Sequence, residues 1–169
     1  MAAQRYPRAR ALAMKSFQNN RSVNFSADSM YALVKDVEAY PKFVPLCEGV
    51  KIIAHNHLAK GVEVIIAEME VGFKAICERF TSRVTCNSDK REISVEYIDG
   101  PFKKMESRWS FRDEASDDGG RARSIVEFQI SYELKSLALG LVMGAMFDAA
   151  FQKYADAFAR RAEDVYGQQ

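Results

Sequence analysis

The chain is poor in cysteine, proline and histidine, and no acidic residue precedes Asp28. Its three cysteines, Cys47, Cys77 and Cys86, are an odd number with no C-x-x-C spacing. That argues against a disulfide framework and a zinc knuckle, and fits a reducing compartment. Cys77 falls in a strand pattern and is expected as a small core residue. The only two histidines, His55 and His57, share one face of a predicted strand near its end. A His-x-His pair can supply two metal ligands, but no acid or cysteine has the obvious spacing of a third, so no metal is expected. G-x-S-x-G, G-x-G-x-x-G and P-loop motifs are all missing, which leaves nucleophile-elbow acyl transfer and dinucleotide binding without support.

Long apolar runs are missing too. Leu137 to Phe147 is apolar all round but too short to span a bilayer. Residues 1–20 have no continuous apolar segment of the secretory kind, so the sequon Asn24-Phe25-Ser26 carries no meaning. Arg5, Arg8, Arg10, Lys15 and Arg21 make the start basic, a feature that suits anionic lipid or RNA but is more simply a disordered terminus. The formal charge is only +1, so no global field selects nucleic acid, and DNA is not an expected partner.

What is present reads as one globular domain: 48% hydrophobic and 28% charged residues in 169. We expect a flexible extension over 1–13 and a single domain over 14–166, with Met14 an alternative start. Residues 14–25 read as a strand. Ser26 is an N-cap for a short amphipathic helix carrying Met30, Leu33, Val34 and Val37, which Pro41 and Pro45 interrupt. Strands follow at roughly 50–57, 62–71, 73–85, 91–98, 104–113 and 123–134, separated by good turn chemistry. A helix over about 137–163 closes the chain, with Phe147, Phe151, Tyr154 and Phe158 in one stripe. Consecutive strands with short turns imply an antiparallel meander. The fold class is therefore α+β: a curved antiparallel sheet of six to seven strands around a long C-terminal helix.

Two alternating strands meet at Asp99-Gly100-Pro101-Phe102, and their apolar faces are large and aromatic. A one-sided sheet around a helix can enclose an elongated apolar cavity. Alternation assigns its walls to Val64, Ile66, Val95, Tyr97, Trp109, Phe128, Ile130 and Tyr132, with Met143, Phe147, Phe151 and Tyr154 from the helix. Tyr97, Tyr132, Ser107 or Arg83 can supply a hydrogen bond where they face inward. Gly140 and Gly144 weaken the proximal helix, and Met143 and Met146 make it adaptable, so this segment reads as a deformable lid or as plain core. Leu139, Leu141, Val142 and Met146 are its candidate membrane-contact residues. Glu68, Glu70 and Glu78 become a tuned acid or base only if they face the cavity. Lys103, Lys104, Arg108 and Arg112 cluster near the Gly-Pro-Phe turn, a patch compatible with RNA or with a solvated sheet face.

Several segments together resemble a known family. Asp36-Val37-Glu38-Ala39-Tyr40-Pro41-Lys42-Phe43-Val44-Pro45-Leu46-Cys47 is similar to the "D-V-E-x-Y-P-x-F-x-P-x-C" segment of the coenzyme Q-binding protein family, within the START-like, polyketide cyclase and lipid transport superfamily. Gly72-Phe73-Lys74 with Phe80-Thr81-Ser82-Arg83-Val84, and Asp99-Gly100-Pro101-Phe102 with Trp109-Ser110-Phe111, resemble further family motifs, as does the passage from Phe128 to Phe147. The likeness runs from about Met14 to Tyr166. It implies a helix-grip fold holding a ubiquinone-like isoprenoid quinone as bound ligand, with no catalytic cofactor and no enzymatic role. The implied partners are the quinone, a membrane surface touched transiently, and a component of respiration or quinone synthesis. The implied location is cytoplasmic and peripheral to the inner membrane in a bacterium, or on the matrix side of a mitochondrion. Bacterial members are also described as ribosome-association toxins acting on the large subunit, an alternative the resemblance leaves open. Aromatase or cyclase chemistry in the wider superfamily needs converging polar groups, which the inward faces lack.

Overall fold

The computed structural model describes residues 14–115 and 119–167; the extension expected over 1–13, with Arg5, Arg8 and Arg10, lies outside them. Strand β1 (Lys15–Val23) leads to helix α1 (Ala27–Lys35) and a 3₁₀ helix (Val37–Lys42). Strands β2 (Cys47–Ala59), β3 (Val62–Phe73), β4 (Ile76–Asn87), β5 (Glu92–Asp99), β6 (Phe102–Glu114) and β7 (Arg123–Leu134) precede helix α2 (Leu137–Tyr166). The strands form one antiparallel sheet in the order β1-β7-β6-β5-β4-β3-β2. The meander is as the turn chemistry predicts. The pairing of β1 with β7 adds the seventh strand at the edge opposite β2.

Alternation decides which face is covered. On β7 every second residue from Ser124 to Leu134 is buried. Register carries the same face onto β6 through Phe128 opposite Trp109, and onto β5 through Trp109 opposite Ile93. Register shifts that leave Ile98 of β5 and Lys103 of β6 as extra residues mark bulges, which bend strands and increase their twist. The result is a concave apolar face. Cys77 is not part of it: the inward residues of β4 are Phe80, Ser82, Val84 and Cys86, so Cys77 has the outward parity and is exposed, its thiol donating to Glu70 at 3.4 Å.

Both helices begin as their capping residues dictate. The Ser26 hydroxyl accepts from the Ser29 amide and the Ser136 hydroxyl from the Leu139 amide, each at 3.1 Å. Helix α1 buries Met30, Tyr31, Leu33 and Val34. Arg91 ties its first turn to the sheet by pairing with Asp28 at 2.6 Å and Asp113 at 3.0 Å. In α2 the buried residues Met143, Phe147, Phe151 and Phe158 follow one stripe. The distal end is held most closely. Phe158 lies 4.9 Å from Trp109, 5.0 Å from Phe43 and 5.4 Å from Tyr40 by ring centroids, and the Tyr166 hydroxyl donates to the Ser29 carbonyl at 3.2 Å.

The β5–β6 turn touches the base of α2. Gly100 has φ +136°, and a Cβ there would lie 2.6 Å from Phe80 Cβ, so the position accepts only glycine without rearrangement. The Lys135 amide, just before α2, donates to the Pro101 carbonyl at 3.0 Å.

Truncating the residue at the centre of the distal seat tests this account. Phe158→Ala should cost about 3–5 kcal/mol, read as a lower denaturation midpoint; a loss under about 1 kcal/mol would mean that α2 is held elsewhere.

Candidate functional site

Beneath α2 the concave face leaves a small apolar cavity of about 90 Å³. Seven of the expected wall residues line it: Val95, Trp109, Phe128, Ile130, Phe147, Phe151 and Tyr154. Tyr97 shares the face of Val95 and packs on the lining residue Phe102 at 5.7 Å. Tyr132 and Met143 are buried but do not line the space; Tyr132 is wedged against Phe151 at 5.4 Å and Phe147 at 5.9 Å.

Val64 and Ile66 are a correction. On β3 the cavity takes Ala67, Met69 and Val71, which have odd parity, so Val64 and Ile66 point to the opposite face opposite Thr85 and Arg83. The clue was available: the even set of β3 contains Glu68 and Glu70, whereas the odd set from Ile65 to Val71 is wholly apolar. Glu68 and Glu70 accordingly fall outside, as does Arg83, while Glu78 is half-buried and off the lining. Sequence reasoning also missed Val37 and Tyr40 from the 3₁₀ segment, Val50 from β2, and Phe80, Ser82, Val84, Ile93, Phe102 and Met105 from the sheet. Most of these are cross-strand neighbours of residues already named, and only register reveals them.

The lining contains no carboxylate, imidazole or amine. Its polar contributions come from Ser82, Ser107 and the two phenols Tyr40 and Tyr154. Burial pushes the Tyr154 and Tyr40 phenols well above their ordinary values, so neither ionises near neutrality. Tyr40 donates to the Val34 carbonyl at 2.6 Å. The Tyr97 hydroxyl is buried with no hydrogen-bond partner among the described residues. Burial also raises the Cys47 and Cys86 thiols to about 11, which keeps them from acting as thiolates. This is a site for apolar contact with a few neutral donors.

The space is small for a lipid. Sites for drug-sized ligands span roughly 300–1,000 Å³, so the elongated cavity expected from the sequence is closed down by aromatic packing in this conformation. Phe147 stacks on Phe151 at 5.8 Å and tilts over Phe102 at 5.5 Å. The rings that fill the space from the helix side, Phe147 and Phe151, belong to the first half of α2.

That half of α2 presents two unlike faces. Met143 is fully buried, and Leu139 and Met146 are half-buried against the core. Leu141 is 77% exposed and Val142 57%, with Leu137 beside them at 58%. The all-round apolar segment therefore has one apolar neighbour, the sheet, and offers its other side outward. No helix among the described residues is long and apolar enough to cross a membrane.

A polar clasp holds this half of α2 to the edge of the sheet. The Tyr132 hydroxyl donates to Asp148 at 2.7 Å, and Lys15 of β1 donates to the other carboxylate oxygen at 2.8 Å. Burial raises the Tyr132 phenol, and its bond to Asp148 raises it further. For Asp148 burial opposes ionisation, but Lys15 and Tyr132 outweigh it and hold the carboxyl below its usual range.

A seven-stranded antiparallel sheet gripping a C-terminal helix, with an apolar space between them, defines the helix-grip class of START-like proteins. Residues 23–159 match the family described as polyketide cyclase / dehydrase and lipid transport, and the chain belongs to that family. It is 31% identical to the ribosome association toxin RatA of Vibrio cholerae over 157 residues, covering 92% of this chain and all of that one. It is 30% identical to the mitochondrial coenzyme Q-binding protein COQ10 homolog B of Xenopus laevis, covering 90% of this chain and 60% of that protein. The solution structure of an 18 kDa protein from Caulobacter crescentus is similar with TM-score 0.70 and 32% identity, over 90% of this chain and 99% of that one.

The clasp gives a pH dependence with a definite sign. A carboxylate depressed in the folded state stabilises the fold above its unfolded value, near 3.9, and that contribution disappears as pH falls through the folded value. Wild type should therefore exceed Asp148→Asn in stability at neutral pH, with the gap closing below about pH 4. Denaturation midpoints across that range measure it; a gap that does not change with pH would remove the charge from the clasp.

Proposed function

We propose that this protein is a non-catalytic carrier of an isoprenoid quinone, which it holds between α2 and the concave sheet face. The observation that carries the reading is the cavity itself: a wholly uncharged, aromatic-walled space under a helix segment whose outer side is also apolar. A polyprenyl tail gains roughly 0.8 kcal/mol for each CH₂ removed from water, enough over a few isoprene units to offset separating α2 from the sheet. The quinone carbonyls need only one or two neutral donors, and the buried, unpartnered Tyr97 hydroxyl beside Phe102 is the best placed. Leu137, Leu141 and Val142 would enter the lipid interface while α2 is lifted, so that cargo passes from bilayer to cavity without crossing water. The relationship to a protein named for coenzyme Q binding supports the choice of quinone. The expected setting is a membrane surface facing a respiratory or quinone-synthesis partner.

A second reading, association with the large ribosomal subunit, is favoured by the near-complete overlap with proteins named as ribosome association toxins. The basic outer face gives it little support. Arg108 pairs with Glu92 at 2.8 Å, Lys103 with Glu133 at 3.2 Å, Arg112 with Glu127 at 3.7 Å and Lys104 with Glu106 at 3.8 Å, so the patch is largely neutralised.

Organic extraction of the purified protein followed by mass spectrometry should release a benzoquinone bearing an isoprenoid chain. Leu141→Glu or Val142→Glu should lower the amount recovered without changing the circular dichroism. Tyr97→Phe should weaken quinone binding by about 1 kcal/mol, roughly fivefold. An extract free of any quinone, combined with salt-sensitive cosedimentation with large subunits, would replace the carrier role with the ribosomal one.

A further inference from the structure

The two histidines that lacked a third ligand in the sequence acquire one in the fold. His57 stands directly opposite Glu63 across the β2–β3 hairpin. The His55 Nε2 atom lies 2.8 Å from the Glu63 Oε2 atom, and the two imidazoles are stacked at 5.3 Å with an interplanar angle of 29°. One ligand atom from each of His55, His57 and Glu63 lies within 4.8 Å of the other two.

A bulge creates this arrangement. Val50 pairs with Met69 and Ile52 with Ala67, both on the concave side. The register shift between Ile52 and Ala54 inserts Ile53, so Ala54 pairs with Ile66 on the outer side and His55 with Ile65 on the inner one. Without the extra residue His55 and His57 would face outward, away from Glu63. A second shift follows His57, between His57 and Ala59. Bulges re-aim side chains in this way next to functional sites.

From this geometry we propose a binding site for an exchangeable divalent transition-metal ion, of the Zn²⁺ class, formed by His55, His57 and Glu63. The proposal is independent of the apolar cavity. Two imidazoles and a carboxylate suit zinc and its neighbours in the first transition row. Ligand atoms about 2.1 Å from a tetrahedral ion are roughly 3.4 Å apart, and small side-chain rotations bring the cluster to that spacing. Lys35, at the end of α1, holds the other carboxylate oxygen at 2.6 Å and leaves Oε2 turned towards the imidazoles. His55 opens onto a surface groove bounded by α1 and Ile52, with a side chain 45% exposed. Water therefore completes the coordination and the ion can exchange, unlike a closed structural zinc.

The test uses the full chain, made without a polyhistidine tag and stripped with a chelator. Titration with Zn²⁺ should saturate at one ion per chain. His57→Ala and Glu63→Gln should each weaken binding at least about tenfold, the loss seen even for partners beyond the ligands themselves. Because the chain has only two histidines, imidazole ¹⁵N shifts in the unaltered protein report this site alone and do not depend on any variant folding. Shifts of both rings at one equivalent of Zn²⁺ are the expected result. Absence of saturable binding, or binding that leaves both imidazoles unshifted, would overturn the proposal; the latter would move the ion to the Glu48, Glu70 and Cys77 group.

Discussion

Phe158 wedged among Trp109, Phe43 and Tyr40 is the contact on which the rest of the molecule depends. It joins the helix that closes the chain to the middle of the sheet and to the 3₁₀ segment. Edge-to-face aromatic pairs add about 0.5–1.5 kcal/mol each beyond the area they bury, so the distal end of α2 is secured several times over. The proximal end relies on a polar clasp at the sheet edge and on stacked phenylalanines. In the proposed carrier that asymmetry would let the helix stay seated at Phe158 while its first turns are displaced.

The aromatic side chains that form the cavity also limit its size. Trp109 and Phe128, 4.3 Å apart, make a continuous floor on which Phe151 and Tyr154 can close. Such walls offer a large apolar area and few polar groups, a chemistry suited to holding hydrocarbon and unsuited to transferring protons. Binding as proposed would be a competition between side chains already in contact and a ligand that replaces those contacts. A flexible hydrocarbon tail can occupy an irregular gap without demanding a fixed shape, whereas a rigid polar substrate cannot.

The convex face obeys a different rule. Its basic residues alternate with acids along and across strands, and this cross-strand pairing suits an exposed sheet by keeping the face wet and locally neutral. The hairpin carrying His55 and His57 departs from that pattern. There, bulges turn polar side chains towards the concave side, beyond the end of the apolar core.

Much of the architecture was legible in the sequence. The Ser26 cap, the Asp99-Gly100-Pro101 turn and the alternation of β7 are local signals, and the elements begin and end close to where those signals stand. The stripe of Phe147, Phe151 and Phe158 likewise marks the buried side of α2. What remained hidden was long-range. Register alone brings Ser82 and Val84 of β4 and Ile93 of β5 round the same space as Val95 and Trp109, whereas the parity of Val64 and Ile66 is already marked by Glu68 and Glu70.

The sequence alone determined the class of fold and its apolar, uncharged interior, because hydrophobic period and turn chemistry act over a few neighbouring residues. Only the tertiary structure decided how far the aromatic walls close on one another, that the proximal face of α2 is left uncovered, and that Glu63 meets two histidines. The last follows from a bulge, where one inserted residue reverses every side chain beyond it, and the other two from how the helix packs across the sheet.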